Sequence, residues 1–319
     1  MCTFNGEKYL KEQLDSILNQ TYPLEELIVQ DDCSTDSTVD IIKEYQREYP
    51  IIKLHVNEKN KGLNENFFSA MDKAIGDYIA IADQDDIWKL NKIEKQINMI
   101  GDHLLCFGHS RHFCIEDGIT KIYEDKGSPP NYSLLRYVFV NMIAGHSMLI
   151  DSRLLNLMPF RSNLRMYDYY LGLIAATHNS IVFCNEVLCD HRIHSDNVTS
   201  ANIDKRVQSP KTSFRPLKAI LSSLSIRKQI KERENDFFST THKFIFQTKV
   251  ETKETKGAKK IARLMADNSW ISTVRAMIFC FFNKDKILEN ESSKINALIK
   301  APFFPFLCYH FYNVLIYRQ

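Results

Sequence analysis

The chain has little that would place it among disulfide-stapled, membrane-spanning or repetitive proteins. Its eight cysteines, at 2, 33, 106, 114, 184, 189, 280 and 308, form no CxxC pair and no regular spacing, so they are expected as reduced, mostly buried thiols. The longest apolar runs, such as AMIFCFF at 276–282, fall far short of the roughly 20 residues that cross a bilayer. Met1 is followed by the polar stretch TFNGEKY with no apolar segment of the signal-peptide kind. The expected location is therefore the cytoplasm, with peripheral attachment to the inner face of the membrane as an option. There is no internal repeat and no low-complexity tract. A glycine-rich phosphate loop with a nearby Lys or Arg is also missing, since GEKY at 6–9 matches one poorly.

What is present is an ordinary globular composition, 44% apolar and 25% charged over 319 residues, enough for one catalytic core with an extension. The net charge of +2 conceals a strong asymmetry. Residues 1–201 hold 19 Lys and Arg against 29 Asp and Glu, whereas residues 202–319 hold 22 against 10. The expected division is an acidic α/β domain over 1–201 and a basic, mostly helical extension over 202–319. The extension suits an anionic partner, or is simply a solvated basic helical face.

Apolar periodicity predicts a helix over 7–20 through Leu10, Leu14, Ile17 and Leu18. LIVQDD at 27–32 reads as a buried strand ending in two carboxylates, followed by a helix capped from Ser34, Thr35 and Asp36. The rhythm repeats with strand 51–56, helix 64–75, strand 78–83 and helix 87–100, which predicts an α/β fold with a mainly parallel sheet. Ligands bind such sheets where strands end at their carboxyl edges, and both acidic clusters fall there. Further strands are expected at 104–108, 146–150 and 180–184, and a helix near 167–177. Only Met1, Cys2 and Thr3 are available for an opening central strand, so the expectation is a strand whose true start lies upstream.

Four stretches carry chemistry, and each has a plain structural alternative. DQDD at 83–86 can hold a hard divalent cation through carboxylate oxygens, or merely cap a helix. QDDCSTDST at 30–38 can accept the imide N–H of a pyrimidine base, or again only cap. Asp168, flanked by aromatic rings in RMYDYYLG, is either a desolvated general base or a helix-terminal acid favoured by the dipole. In HRIHSDN at 191–197 a histidine could complete a metal site and Arg192 could meet phosphate, or the segment is a polar loop.

Taken together, TFNGEKYLKEQLDSILNQTYP (3–23), DDCSTDST (31–38), NEKNKGLNENFF (57–68), DQDDIW (83–88), NMIAGHSMLI (141–150), MYDYYLGLIA (166–175) and HRIHSDN (191–197) resemble the bacterial family 2 glycosyltransferases, especially a rhamnosyltransferase-like branch of surface-polysaccharide assembly. The resemblance covers about residues 1–200 and implies a GT-A fold and an inverting hexosyl transfer that depends on Mg²⁺ or Mn²⁺. It implies that Asp32 contacts the base, with Thr3, Phe4, Asn5 and Glu7 beside it, and that Arg192 also meets the nucleotide sugar. Asp85 would be the principal metal ligand, Asp83 would reach the ribose or diphosphate and the metal, and Asp86 and His194 would complete the metal set. Asp168 would be the catalytic base. Tyr167, Tyr169 and Tyr170 stand where this branch commonly has His and Trp-Trp around the base, and Ile193 where it usually has Gln. The implied partners are a nucleotide-sugar donor, a glycan or polyprenyl-linked acceptor and the membrane surface, with no nucleic acid and with a homodimer as a further option. The rival readings are a nucleotidyltransferase and a non-catalytic nucleotide-sugar-binding protein on the same fold.

Overall fold

Short parallel pairing at the very start of the chain organises everything that follows. In the computed structural model, which describes residues 1–116, 119–123, 131–194, 237–267, 269–288 and 294–308, β1 (Cys2–Thr3) lies parallel to β2 (Leu27–Asp31), with Cys2 opposite Gln30 and Thr3 opposite Asp31. β2 in turn pairs in parallel with β3 (Ile52–Val56). The crossovers are α1 (Leu10–Leu18) and α2 (Thr38–Glu48), whose apolar faces bury Leu10, Leu14, Ile17, Ile41 and Ile42 against the sheet. α1 is shorter than its predicted 7–20 span, because residues 5–7 are held in a turn described below.

After α3 (Leu63–Met71), the chain enters a second sheet. Here β4 (Tyr78–Ala80), β5 (Ile87–Trp88), α4 (Lys92–Ile100), β6 (Leu105–Glu116), β7 (Ile119–Tyr123), α5 (Leu134–Tyr137), β8 (Met148–Asp151), α6 (Arg153–Leu157), α7 (Tyr167–Thr177) and β9 (Ile181–Arg192) follow in order. The strands are arranged β4-β8-β6-β9-β5, with β7 on β6. Only β6 and β9 run parallel; the β4–β8, β6–β8, β6–β7 and β5–β9 pairs are antiparallel. The mainly parallel expectation therefore holds for the first three strands alone. The two sheets meet where the Cys2 N–H reaches the Ala82 carbonyl at 3.4 Å.

The expected helix over 87–100 is corrected to a two-residue strand followed by a shorter helix. Ile87 and Trp88 pair with Asp190 and Cys189, because the acidic turn before them is drawn to the end of β9. β6 and β9 also run much longer than their sequence spans suggested, since Leu105–Phe113 of β6 pairs along the whole of β9 and the rest of β6 pairs with β7.

The described residues of the extension form α8 (Phe237–Gln247), α9 (Lys253–Asp267), α10 (Trp270–Phe282), α11 (Lys284–Ile287) and α12 (Lys294–Lys300). Its buried residues Phe237, Phe238, Phe244, Ile261, Met265 and Cys280 belong to the same apolar core as Leu135, Tyr169, Leu173 and Ile174 of the α/β part. Among the described residues, no helix is long and apolar enough to cross a membrane.

Among the described residues, one lysine is buried in this framework. Lys92, at the start of α4, is wholly buried, places Nζ 2.7 Å from Gln96 Oε1 and lies 4.4 Å over the Trp88 ring. Burial lowers its ammonium pKa to about 8, while the unfolded chain keeps the ordinary value near 10.5. Between those values the unfolded state binds the extra proton, so this group's penalty is complete below pH 8 and relieved as pH rises through 10.5. Lys92→Met should stabilise the protein by about 3 kcal/mol at neutral pH. Urea unfolding of both proteins from pH 7 to 10.5 checks this, because their stability difference should shrink steadily over that range.

Candidate active site

Two aspartates end β2, and the structure uses them differently. Asp31 is fully buried and accepts the Thr3 hydroxyl at 2.7 Å, the Ser34 hydroxyl at 2.6 Å and the Ser34 N–H at 2.8 Å. Asp32 accepts the Asn57 amide and the Lys61 and Gly62 N–H groups, each at 2.8 Å. It thereby folds the 57–62 loop over the end of the sheet and still lines the cavity beside it. Asn57 and Asn66 continue this buried network to Gln30.

The turn after β1 is stapled to the turn after β2. The Thr35 N–H reaches Asn5 Oδ1 at 2.8 Å, the Ser37 N–H reaches Glu7 Oε2 at 2.8 Å, and the Glu7 N–H reaches Asp36 Oδ2 at 3.1 Å. Asn5 and Glu7 were expected at the nucleotide sugar. The structure instead spends their side chains on these loop contacts, outside the cavity lining. Phe4 remains exposed at the cavity, and Gln84 pairs with both its N–H and its carbonyl. Gly6 permits this clasp: a Cβ there would lie 2.3 Å from Gln84 Oε1.

The DQDD turn splits its carboxylates between solvent, cavity and core. Asp83 is the most open, with its side chain about one third exposed. Asp85 lines the cavity and meets His194 Nε2 at 2.8 Å; burial raises its carboxyl pKa, and the charges of Asp83 and Asp86 raise it further. Asp86 is wholly buried. Its Oδ1 lies 2.9 Å from His191 Nδ1 and accepts the Arg192 N–H, while Oδ2 meets no hydrogen-bond donor among the described residues and lies 3.7 Å from His146 Nδ1. Burial pushes this carboxyl up, but His146, His191 and the Arg192 amide together hold it below its ordinary value. His146 and His191 stack at 4.6 Å. Among the described residues, Asp86, His146 and His191 form the one trio whose potential ligand atoms all lie within 4.8 Å of each other.

Arg192, expected at phosphate, is turned elsewhere. Its guanidinium donates to the Asp85 carbonyl at 3.0 Å and to Glu12 at 2.9 Å, and lies between the rings of Tyr9 and Phe113. Stacking and a two-sided hydrogen-bond fork suit a planar guanidinium, and they leave it buried as a clamp on the acidic turn. Ser195, Asp196 and Asn197 of the later motif lie outside the described residues.

Asp168 occupies the first turn of α7. It is almost wholly buried, and its Oδ2 accepts the Gly145 N–H at 3.3 Å while Oδ1 meets no donor among the described residues. Burial raises its pKa to about 6, offset in part by the Tyr169 and Gly145 N–H groups and the Asn141 amide, with the Asp83 charge adding to the rise. Gly145 is required here, because a Cβ would come within 2.0 Å of the Tyr167 hydroxyl. Tyr167 in turn stacks on Phe67, a wall of the cavity, at 4.0 Å.

The cavity measures about 280 Å³, and its lining brings Thr3, Phe4, Asp32, Asp83, Asp85 and His191 together with Met166, which precedes α7 by one residue. Asp86, Asp168, His194 and Arg192 are not among the lining residues. A larger cavity of about 450 Å³ opens at the opposite ends of the strands, lined by Ile28, Ile79 and Leu149, and has no share in the carboxylate cluster. His146 and Gln84 were missed from the sequence: the first comes from a 3-10 turn far along the chain, and the second was read only as the spacer within DQDD. Asp83 and Asp85 offer carboxylate oxygens and His194 an imidazole nitrogen, donor types that suit a divalent cation, although among the described residues only the ligand atoms of Asp86, His146 and His191 all lie within 4.8 Å of one another.

Residues 1–156 match the family model Glycosyl transferase family 2. The chain is 30% identical over 202 residues to the UDP-Glc:alpha-D-GlcNAc-diphosphoundecaprenol beta-1,3-glucosyltransferase WfgD of Escherichia coli, covering 63% of this chain and 78% of that protein. It is 28% identical over 218 residues to the dTDP-rhamnosyl transferase RfbG of Shigella flexneri, covering 64% and 74%. Other relatives are matched over only 42% and 61% of their own length. The fold is that of S. aureus TarS 1-349, solved in complex with UDP-GlcNAc (TM-score 0.57, 16% identity, 98% of this chain and 89% of that one). It is shared with the mannosyltransferase PcManGT of Pyrobaculum calidifontis, solved with GDP-Man and Mn²⁺ (TM-score 0.53, 16% identity, 98% and 83%). The α/β GT-A expectation is thus met, with a helical C-terminal region.

The raised pKa of Asp168 has a consequence for stability. An acid whose folded pKa exceeds its unfolded value weakens the fold when ionised, and that cost disappears as pH falls from about 6 to about 4. Asp168→Asn should therefore be more stable than the parent at pH 7.5 by roughly 3 kcal/mol. Chemical denaturation at pH 7.5 and at pH 4.5 checks it, with the gain expected to shrink markedly at the lower pH.

Proposed function

We propose that this chain, which belongs to glycosyl transferase family 2, transfers a sugar from a nucleoside-diphosphate donor to a saccharide or polyprenyl-linked acceptor in cell-surface polysaccharide synthesis, with inversion at the anomeric carbon. The observation that carries this reading is the cavity in which Asp32, Asp83 and Asp85 converge, with the buried Asp168 carboxyl two residues along the chain from Met166 of its wall. The diphosphoundecaprenol-linked acceptor in the name of WfgD supports the acceptor class, and the dTDP-rhamnosyl activity in the name of RfbG supports rhamnose as the donated sugar.

In this reading Asp32 takes the base through its free acceptor capacity, and Thr3 and Phe4 border the nucleoside. The acceptor hydroxyl attacks the anomeric carbon from the face opposite the leaving group. A new carbon–oxygen bond forms as the bond to the diphosphate oxygen breaks, and the nucleoside diphosphate departs with that electron pair. Asp168 accepts the hydroxyl proton, and its elevated pKa keeps it basic enough for the task yet ionised at neutral pH. No covalent enzyme intermediate is required. A divalent cation, Mg²⁺ or Mn²⁺, held by Asp85 with Asp83 and His194, supplies positive charge to the diphosphate when bound; Mn²⁺ accompanies GDP-Man in PcManGT. Asp86 and His191 support the turn from the core side.

Asp168→Asn should lower transfer by at least a hundredfold while leaving donor affinity in titration calorimetry nearly unchanged. Retained turnover would refute the assignment. For the parent enzyme, kcat should fall about tenfold per pH unit below about 6, as Asp168 takes up its proton. Treatment with EDTA should abolish transfer of radiolabelled sugar to a lipid extract, and Mn²⁺ or Mg²⁺ should restore it. Activity that survives EDTA would remove the cation from the reading.

A further inference from the structure

The outer side of α10 carries large apolar side chains that are exposed to solvent. Trp270, Ile271, Val274, Ile278, Phe281 and Phe282 are all exposed, with Trp270 at 60% and Phe282 at 75%. At 3.6 residues per turn these six fall within an arc of about 120°. The opposite side of the same helix buries Ser272, Thr273, Ala276 and Cys280 in the protein. The helix contains no acidic residue, and its one charge, Arg275, is exposed at the edge of the apolar arc.

Immediately beside this face lies a basic groove of about 640 Å³, lined by His242, Lys259, Lys260, Arg263 and Arg275, with exposed Phe246 at its wall. One carboxylate, Asp267, also lines it, but that group is taken up by the hydroxyls of Ser269 and Ser272. Lys259 pairs with Glu251, which leaves Lys260, Arg263 and Arg275 as the cations that dominate the groove. Their field is visible in His242, whose pKa is lowered first by burial and then by Arg263 and Lys259. Over residues 237–308, 12 Lys and Arg face 6 Asp and Glu.

We propose that the exposed face of α10 and the adjoining basic groove form a docking surface for an anionic lipid bilayer. The apolar arc enters the acyl boundary of one leaflet, and Lys260, Arg263 and Arg275 meet the headgroup phosphates. Large aromatic side chains at both ends of a helix too short to span, with a cationic flank, are the physical make-up of an interfacial helix. A second copy of the chain fits less well. A twofold interface would set the same patch against itself and oppose two basic grooves. This surface stands independently of sugar transfer at the cleft.

The test is flotation of the full-length protein with vesicles of phosphatidylcholine alone and of phosphatidylcholine with phosphatidylglycerol. Recovery is expected with the anionic vesicles and should fall with salt. Replacing Lys260, Arg263 and Arg275 together by Ala should weaken partitioning roughly a hundredfold, at about fivefold per cation. Ile278→Glu should abolish recovery while leaving the melting temperature unchanged, since the site is solvent-exposed. A measurement on the unaltered protein guards against misfolded variants: with Trp88 buried, Trp270 fluorescence should be quenched by brominated acyl chains. Equal recovery on both vesicle types, no quenching, or a dimer in light scattering that Ile278→Glu dissociates without any vesicle binding would overturn the proposal.

Discussion

Carboxylates crowded out of water at one sheet edge must each be held by something, and the structure is organised around that requirement. Asp31 is held by two hydroxyls and a backbone N–H, and Asp32 by an amide and two backbone N–H groups. Asp86 is held by imidazoles and the Arg192 N–H. Those arrangements commit side chains from β1, the 57–62 loop, the 3-10 turn at 145–147 and the end of β9, and so draw both sheets to one edge. Burial is the largest influence on Asp85 and Asp168, and both carry carboxyl pKa values above the ordinary range. Acids whose charge is disfavoured by burial are the groups at which added positive charge or a proton would be stabilising.

The first hundred residues were legible because their geometry is local. A buried strand reads as a short apolar run, and its candidate functional end is wherever that run stops in carboxylates, as LIVQDD and YIAIADQDD both do. The boundaries failed where contacts from far along the chain decided them. Ile87 and Trp88 continue a helical pattern, yet pairing with Cys189 and Asp190 makes them a strand. Arg192 was a reasonable phosphate ligand by residue type. That Tyr9, Phe113 and Glu12 enclose it depends on three elements remote in sequence, and no local pattern records their meeting. His146 was hidden for the same reason, since a lone histidine in GHS gains meaning only when His191 and Asp86 arrive beside it.

The aromatic residues around Asp168 show how a motif can be displaced without losing its acid. Tyr169 and Tyr170 face away from the cavity: Tyr169 bonds Thr241 at 3.1 Å and packs against Phe237, and Tyr170 packs against Phe244. These two positions therefore form the joint between α7 and α8. Tyr167 alone turns toward the cavity wall, through Phe67. Variation at 169 and 170 then bears on how the helical extension seats against α7. Variation at 167 bears on the cleft.

That joint has a mechanical meaning. α8 offers Thr241 to the helix that carries Asp168, and its next residue, His242, lines the basic groove beside α10. A single helical turn thus links the buried acid to the most basic described surface, with buried aromatic packing on one side and solvent on the other. Interiors packed at this density transmit position rather than absorb it. On the proposed reading, an acceptor presented at a membrane and a base buried beneath a cleft must be brought into a fixed relation by something rigid. The apolar core shared between α7 and the extension meets that need more directly than a flexible tether would, because it fixes orientation as well as proximity.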